Sequence, residues 1–135
     1  YYFLYPCCKQ SILYGFYQNY SAIKKAGEVI VFEGAKSVLQ ARTLGINNTV
    51  ALLGKKISQR QIDILNREGV NIILALDKDV TDAELKDTNL SINSPIEFNK
   101  VFVLRDDLDI YLSPKESPAD SPEMLTSYKE LIYPL

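Results

Sequence analysis

Ile72-Ile73-Leu74-Ala75-Leu76 is an unbroken apolar run, and it ends in Asp77-Lys78-Asp79. A run of this length behind the turn-prone Gly69 reads as a strand buried on both faces of a parallel sheet. Parallel sheets open into a crevice beyond the carboxyl ends of their strands, where polar groups can work on a ligand. If the chain is still extended at Asp77 and Asp79, both side chains project to one side, with Cα atoms roughly 6.6 Å apart. Two anions so placed repel, and a divalent cation is the simplest remedy. The other reading of the same residues is a polar loop after a strand, with both carboxylates in water.

The rest of the composition narrows the chemistry. The 135 residues suffice for one domain with a real core. The net charge of −2 leaves no global basic field for tight duplex binding, although a local basic strip is still allowed. The sequence contains no His, which removes His-based triads, His general bases and His metal ligands. Its two cysteines, Cys7 and Cys8, are adjacent, a spacing that suits neither a zinc ribbon nor an ordinary disulfide. They read as structural thiols in a reducing, cytoplasmic compartment. Any metal is therefore expected on oxygen ligands, which points to magnesium, manganese or calcium. No apolar run is long enough to span a bilayer, and no signal-peptide pattern opens the chain. The first residue is Tyr1 rather than Met, which leaves open that the chain is part of something longer.

Periodicity predicts a regular alternation. Tyr1 to Gly15 reads as aromatic-rich loop with room for a short strand. Phe16 to Ala26 reads as a helix, with Phe16, Tyr20 and Ile23 on one face and Gly27 as its stop. Glu28 to Phe32 is a β-branched strand ending in Glu33-Gly34. Ala35 to Leu44 is a helix with Val38, Leu39 and Ala41 facing the sheet. Asn48 to Leu53 is a strand closing at Gly54. Ser58 begins the next helix, with Gln61 placed for a capping box and Ile62 and Leu65 as the buried stripe. The strand Asn71 to Leu76 follows. A short helix near Asp82 to Lys86 and then a loop occupy the polar stretch to Glu97, and Val101 to Leu104 is a fourth strand. Asp106 to Leu112 reads as irregular or a marginal edge strand, the proline-rich 113–122 as irregular, and Glu123 to Tyr133 as a final helix. The expected fold is α/β, a four-stranded parallel sheet flanked by helices with a C-terminal extension. Three parts are expected: a lead-in over 1–27, the α/β domain over 28–112, and an acidic loop with a helix over 113–135.

Three of these strands bring polar residues to one sheet edge: Glu33-Gly34, Gly54-Lys55-Lys56 and Asp77-Lys78-Asp79. Carboxylates from separate strand ends meet if those strands are neighbours. Such a triad can bind one or two octahedral divalent ions that also touch substrate phosphates. Gly34 would let the backbone turn sharply beside a ligand.

A strand ending Glu-Gly, about forty residues of helix-strand-helix, then a strand ending Asp-x-Asp resembles the Toprim module. That module is shared by DnaG-type primases, topoisomerases, some nucleases and recombination mediators, and the likeness covers about Leu13 to Asp120. Finer details resemble bacterial or phage primases. They are Leu13-Tyr14-Gly15 with the helix ending Ala22-Ile23-Lys24-Lys25-Ala26-Gly27, and Asn47-Asn48-Thr49-Val50-Ala51-Leu52-Leu53-Gly54. Ser58-Gln59-Arg60-Gln61-Ile62 follows, and Lys115-Glu116-Ser117-Pro118-Ala119-Asp120 is similar to the acidic stretch that closes the primase site. Two departures stand out. Ser37, after Lys36, occupies the position where bacterial primases usually carry Asp, and the closing motif is loosened to Glu116 and Asp120. A divergent phage or mobile-element branch and a reduced metal affinity account for both equally well.

The resemblance implies a DNA-directed RNA polymerase of the primase type. Glu33, Asp77 and Asp79 would hold Mg2+ or Mn2+ and carry catalysis, with nucleoside triphosphates and single-stranded DNA as partners and a replicative helicase as a further one. Lys55, Lys56, Lys78 and Lys9 are candidate phosphate or nucleic-acid contacts, with Gly34, Ser37, Asp82, Glu116 and Asp120 as secondary candidates. A zinc cluster and an amino-terminal basic lobe, parts of a complete primase, are not in this sequence, so a poorly active catalytic-core fragment is expected. Two rival readings are a Toprim phosphodiesterase with Glu33 as general acid or base, and a non-catalytic docking module.

Overall fold

The structure is a computed structural model that describes residues 8–92 and 100–135, and side chains for 8–88 and 100–135. After a 3₁₀ turn at Lys9–Ser11, the chain forms α1 (Phe16–Ala26), β1 (Glu28–Phe32), α2 (Ala35–Thr43) and β2 (Thr49–Ala51). Next come α3 (Gln59–Glu68), β3 (Asn71–Leu74), α4 (Asp82–Ile92) and β4 (Val101–Val103). A 3₁₀ turn at Pro118–Asp120 leads to α5 (Pro122–Thr126), α6 (Tyr128–Leu131) and β5 (Tyr133–Pro134).

The sheet order is β2-β1-β3-β4-β5, parallel throughout except for the last pair. Alternate residues of the central strands feed two separate cores, as the period-2 geometry of a strand requires. On one face Val29, Val31, Ile72 and Leu74 pack with Ile23 of α1, Ile62 and Leu65 of α3, and Leu85 of α4. On the other, Ile30, Phe32 and Ile73 pack with Val38 and Ala41 of α2 and with Met124 and Leu125 of α5. From β1 the chain moves out to β2 through α2, then returns across β1 to β3 through α3. Right-handed crossovers running in opposite directions must lie on opposite faces, which is why α2 and α3 do. The reversal makes a switch point between β1 and β3, the place where such sheets leave a crevice at their strand ends.

The capping box expected at Ser58 is formed. Ser58 Oγ accepts from the Gln61 amide at 3.1 Å, and the Ser58 amide donates to Gln61 Oε1 at 2.9 Å. The Gln61 side chain is buried and also donates to the carbonyls of Ile12 and Leu52, tying α3 to the end of β2. Ser58→Ala is expected to lower stability by about 1 kcal/mol, read as a lower urea midpoint at unchanged m-value.

Several boundaries differ from expectation. The sheet has a fifth strand, because Tyr133–Pro134 pairs antiparallel with the open edge of β4. The helix expected over Glu123 to Tyr133 is broken in two at Ser127, whose ψ of 14° takes it out of helical geometry. The proline-rich stretch holds a 3₁₀ turn, because Ser117 caps it and Asp120 accepts from the Ser117 amide. The helix expected to end at Lys86 continues to Ile92, and Asp106 to Leu112 is irregular. On α1 the buried residues are Asn19 and Ile23, while Tyr20 stays 41% exposed and meets Phe16 edge to face. On α2, Leu39 is half exposed and Val38 and Ala41 alone of the expected three are buried. Expectations for 1–7 and 93–99 lie outside the described residues.

Candidate metal centre at the strand ends

Glu33 is the first residue beyond β1, and Asp77 follows two buried residues beyond β3, so neighbouring strands bring them to the same edge. The Asp77 amide donates to Glu33 Oε1 at 3.2 Å. One carboxylate oxygen from each of Glu33, Asp77 and Asp79 can be chosen so that all three lie within 4.8 Å of one another. Glu33 and Asp77 are half-buried and Asp79 is exposed. Burial, and then the charges of Asp77 and Asp79, push the Glu33 carboxyl from its ordinary 4.5 up to about 7. The Asp77 carboxyl is also pushed up, by burial first and then by Asp79 and Asp120. Three oxygen donors under mutual repulsion are the donor set that a hard divalent cation fits.

After β2, Leu53 takes a φ of 60°, a left-handed value unusual for a branched side chain, and the Lys55 and Lys56 that follow line a cavity together with Asp79. The cavity has a volume of about 160 Å³ and shares Asp79 with the acidic cluster. Its apolar lining comes from Ile57, Leu76 and Val80, and Glu84 is among its polar groups. The Glu84 carboxyl is held low by hydrogen bonds from the Thr81 amide and hydroxyl and by the two lysine charges.

Other candidates are placed differently. The Lys78 ammonium turns onto the loop after β4, where it pairs with Asp109 at 2.6 Å and Asp106 at 3.5 Å and donates to the Leu112 carbonyl. Lys9 opens the 3₁₀ turn that precedes α1, its carbonyl accepting from Gln61 of α3. Asp82 begins α4 and pairs with Arg105. Glu116 Oε2 accepts from the Ser113 amide, closing its own turn. Gly34 caps α2 with φ of −116°, a value open to any residue, so left-handed backbone is not what calls for glycine there.

Asp120 is drawn in more closely. It accepts from Gln40 Nε2 at 3.0 Å, lies 3.9 Å from Lys36 Nζ, and its charge reaches Asp77. Ser37 is buried, and its hydroxyl is 3.0 Å from that of Ser117, so α2 and the closing turn are joined next to the site. Sequence reasoning missed Asp106. Its carboxylate is 2% exposed and accepts from the amides of Ile110, Tyr111 and Leu112. An acid two residues beyond the expected fourth strand was the available signal.

A profile for Toprim-like proteins matches residues 30–110. The chain belongs to the Toprim-like family. Among the relatives, the DNA primase of Halalkalibacterium halodurans is 38% identical over 76 residues, 56% of this chain and 13% of that protein. The chain thus spans about an eighth of the length of that primase. Among solved structures, the zinc-binding and RNA polymerase domains of the Aquifex aeolicus primase superpose with a TM-score of 0.73 at 23% identity. That match covers 93% of this chain and 30% of that one. A DnaG primase catalytic domain bound to single-stranded DNA gives a TM-score of 0.68 at 20% identity, over 95% of this chain and 42% of the other. At these identities the superpositions speak for the fold. The profile match and the primase relative support the Toprim domain of the DnaG primase type that the motifs implied. No helix among the described residues is long and apolar enough to cross a membrane.

Proposed function

We propose that this chain is the metal-binding part of a DnaG-type primase catalytic core, serving RNA primer synthesis on single-stranded DNA in the cytoplasm. The observation that carries the reading is the convergence of Glu33, Asp77 and Asp79 at the switch point of the sheet. The unit over 28–112 holds the ion, and 113–135 closes over its edge through Asp120. Bound Mg2+ or Mn2+ supplies charge neutralisation for phosphoryl transfer. The three carboxylates hold it, Asp77 being kept in place by the bond from its amide to Glu33. Lys55 and Lys56 face the phosphates of an incoming nucleoside triphosphate, beside the cavity that adjoins Asp79. The template is single-stranded DNA, as in the primase domain solved with that ligand, and a replicative helicase is the further partner that the primase reading proposes.

One observation favours a second reading. A carboxyl at about 7, as at Glu33, suits general acid–base work in a Toprim phosphodiesterase. The two separate by product. Wild-type chain and Asp77→Asn/Asp79→Asn are incubated with manganese, labelled ribonucleotides and a single-stranded template. Slow incorporation that needs both acids supports the primase. Robust synthesis by the 135 residues alone overturns the fragment part of the reading. Release of nucleotides from a labelled strand favours the phosphodiesterase, and single-strand binding that is indifferent to Asp77→Asn, with neither product, leaves a docking module.

A further inference from the structure

Lys78 stands between two of the three acids, yet its charge is directed elsewhere. Its side chain is 15% exposed, and its backbone amide donates to the Glu116 carbonyl at 3.0 Å. The ammonium is gripped by Asp109, Asp106 and the Leu112 carbonyl. That grip is rigid on the loop side. Asp106 is fixed by three amide donors at 2.8 to 2.9 Å, so the anion is in place whether or not the lysine is there. Asp109 sits at φ of 55°, the left-handed turn that presents its carboxylate. Both ends of Lys78, backbone and side chain, are thereby tied to the segment following β4. Three consecutive side chains cannot all leave the backbone in one direction, so holding the middle one restricts where its neighbours point.

We propose that Lys78 is a positioning residue for the metal site: its ion pairs with Asp106 and Asp109 hold Asp77 and Asp79 facing Glu33 at ligand spacing. The inference rests on the metal-binding reading above. It replaces a phosphate contact by a strut, since the ammonium that would meet a phosphate is already occupied by carboxylates.

The test measures manganese affinity, by electron paramagnetic resonance of free ion and by metal-dependent melting, for wild type, Lys78→Met, Asp109→Asn and the double variant. Lys78→Met keeps the apolar stem and removes the charge. Asp109 is 80% exposed, and Asn accepts its positive φ, so Asp109→Asn leaves the fold intact and carries the test if Lys78→Met does not fold. The strut predicts about fivefold weaker manganese binding in each single variant, with the double variant no weaker than Lys78→Met alone. It also predicts an unchanged salt dependence of single-strand binding. Wild-type manganese affinity in both variants overturns it. So does an unchanged metal affinity with a log–log salt slope reduced by about 0.7 in Lys78→Met, the mark of a lost phosphate contact. Wild type that binds no manganese at all defeats the metal reading itself, a result distinct from either.

Discussion

Manganese is expected to raise the melting temperature of the wild-type chain and to leave that of Asp77→Asn/Asp79→Asn where it was. A ligand that binds the folded state alone stabilises it by RT ln(1 + [L]/Kd), about 2.7 kcal/mol at a hundred times the dissociation constant. For a chain of this size that corresponds to roughly 10 °C. The double variant keeps the shape of the site, since Asn and Asp are isosteric, but offers Glu33 as its only charged donor of the three. Its affinity is expected to fall by a hundredfold or more, beyond the reach of millimolar metal. The same variant is expected to melt higher than wild type when no metal is present, because the burial of the Asp77 charge, and then the repulsion among the three acids, have been removed. Opposite signs with and without metal distinguish a ligand site from carboxylates that cap loops, for which the variant would lose stability in both conditions. If neither protein shifts up to millimolar manganese, the docking-module reading takes precedence.

How far the sequence carried the fold depends on how local the cause was. The bounds of α1 and β1 and the capping box at Ser58 follow from Gly27, the β-branched run and the Ser58/Gln61 spacing, all within a few residues. The fifth strand does not, because nothing in Tyr133-Pro134 looks like a strand until the edge of β4 is available to pair with it. The burial of Asn19 on α1 is not legible for a related reason. Tyr20 is the larger apolar residue, but Asn19 is buried because its side chain donates to the Thr49 carbonyl and accepts from Arg42, partners 30 and 23 positions away.

The acids themselves were legible, since each ends a strong apolar strand, and two such strands in a small parallel sheet are apt to be neighbours. The polar framework behind them was not. Lys78 reads as one more basic residue near a phosphate site, and only the folded loop after β4 shows Asp106 and Asp109 waiting for it. Ser37 looks like a simple loss of an acid. In the fold it is a buried hydroxyl matched to Ser117, 80 residues on, which knits α2 to the closing turn. Complementarity between distant segments is invisible to spacing, and here it decides what the residues beside the carboxylates do.

Without metal, stability is expected to fall as the pH rises from 5 to 8, the reverse of what a salt-bridged carboxylate gives. Glu33 has a folded-state value of about 7 against an ordinary 4.5 in the unfolded chain. Between these values the folded state binds more protons than the unfolded one, so raising the pH favours unfolding. The stabilisation is full below about 4.5 and is lost as the pH passes through 7. Asp77, shifted in the same direction by burial and then by the charges of Asp79 and Asp120, adds to the effect. Asp106 and Glu84 are shifted the other way, so their contributions are present above the ordinary carboxylate range and are lost only on acidification below it. The window is unusually clean, because the chain has no His to titrate within it. Allowing for solvent at a half-buried carboxyl, the loss is about 1 kcal/mol, or a few degrees of melting temperature. Glu33→Gln is expected to flatten the profile and to melt above wild type at pH 8 in chelator. Saturating manganese is expected to invert the wild-type slope, because the ion must displace the Glu33 proton to bind and so grips best where that proton is already gone. A wild-type profile that is flat or rising in chelator would mean that the three carboxylates do not share a site in solution.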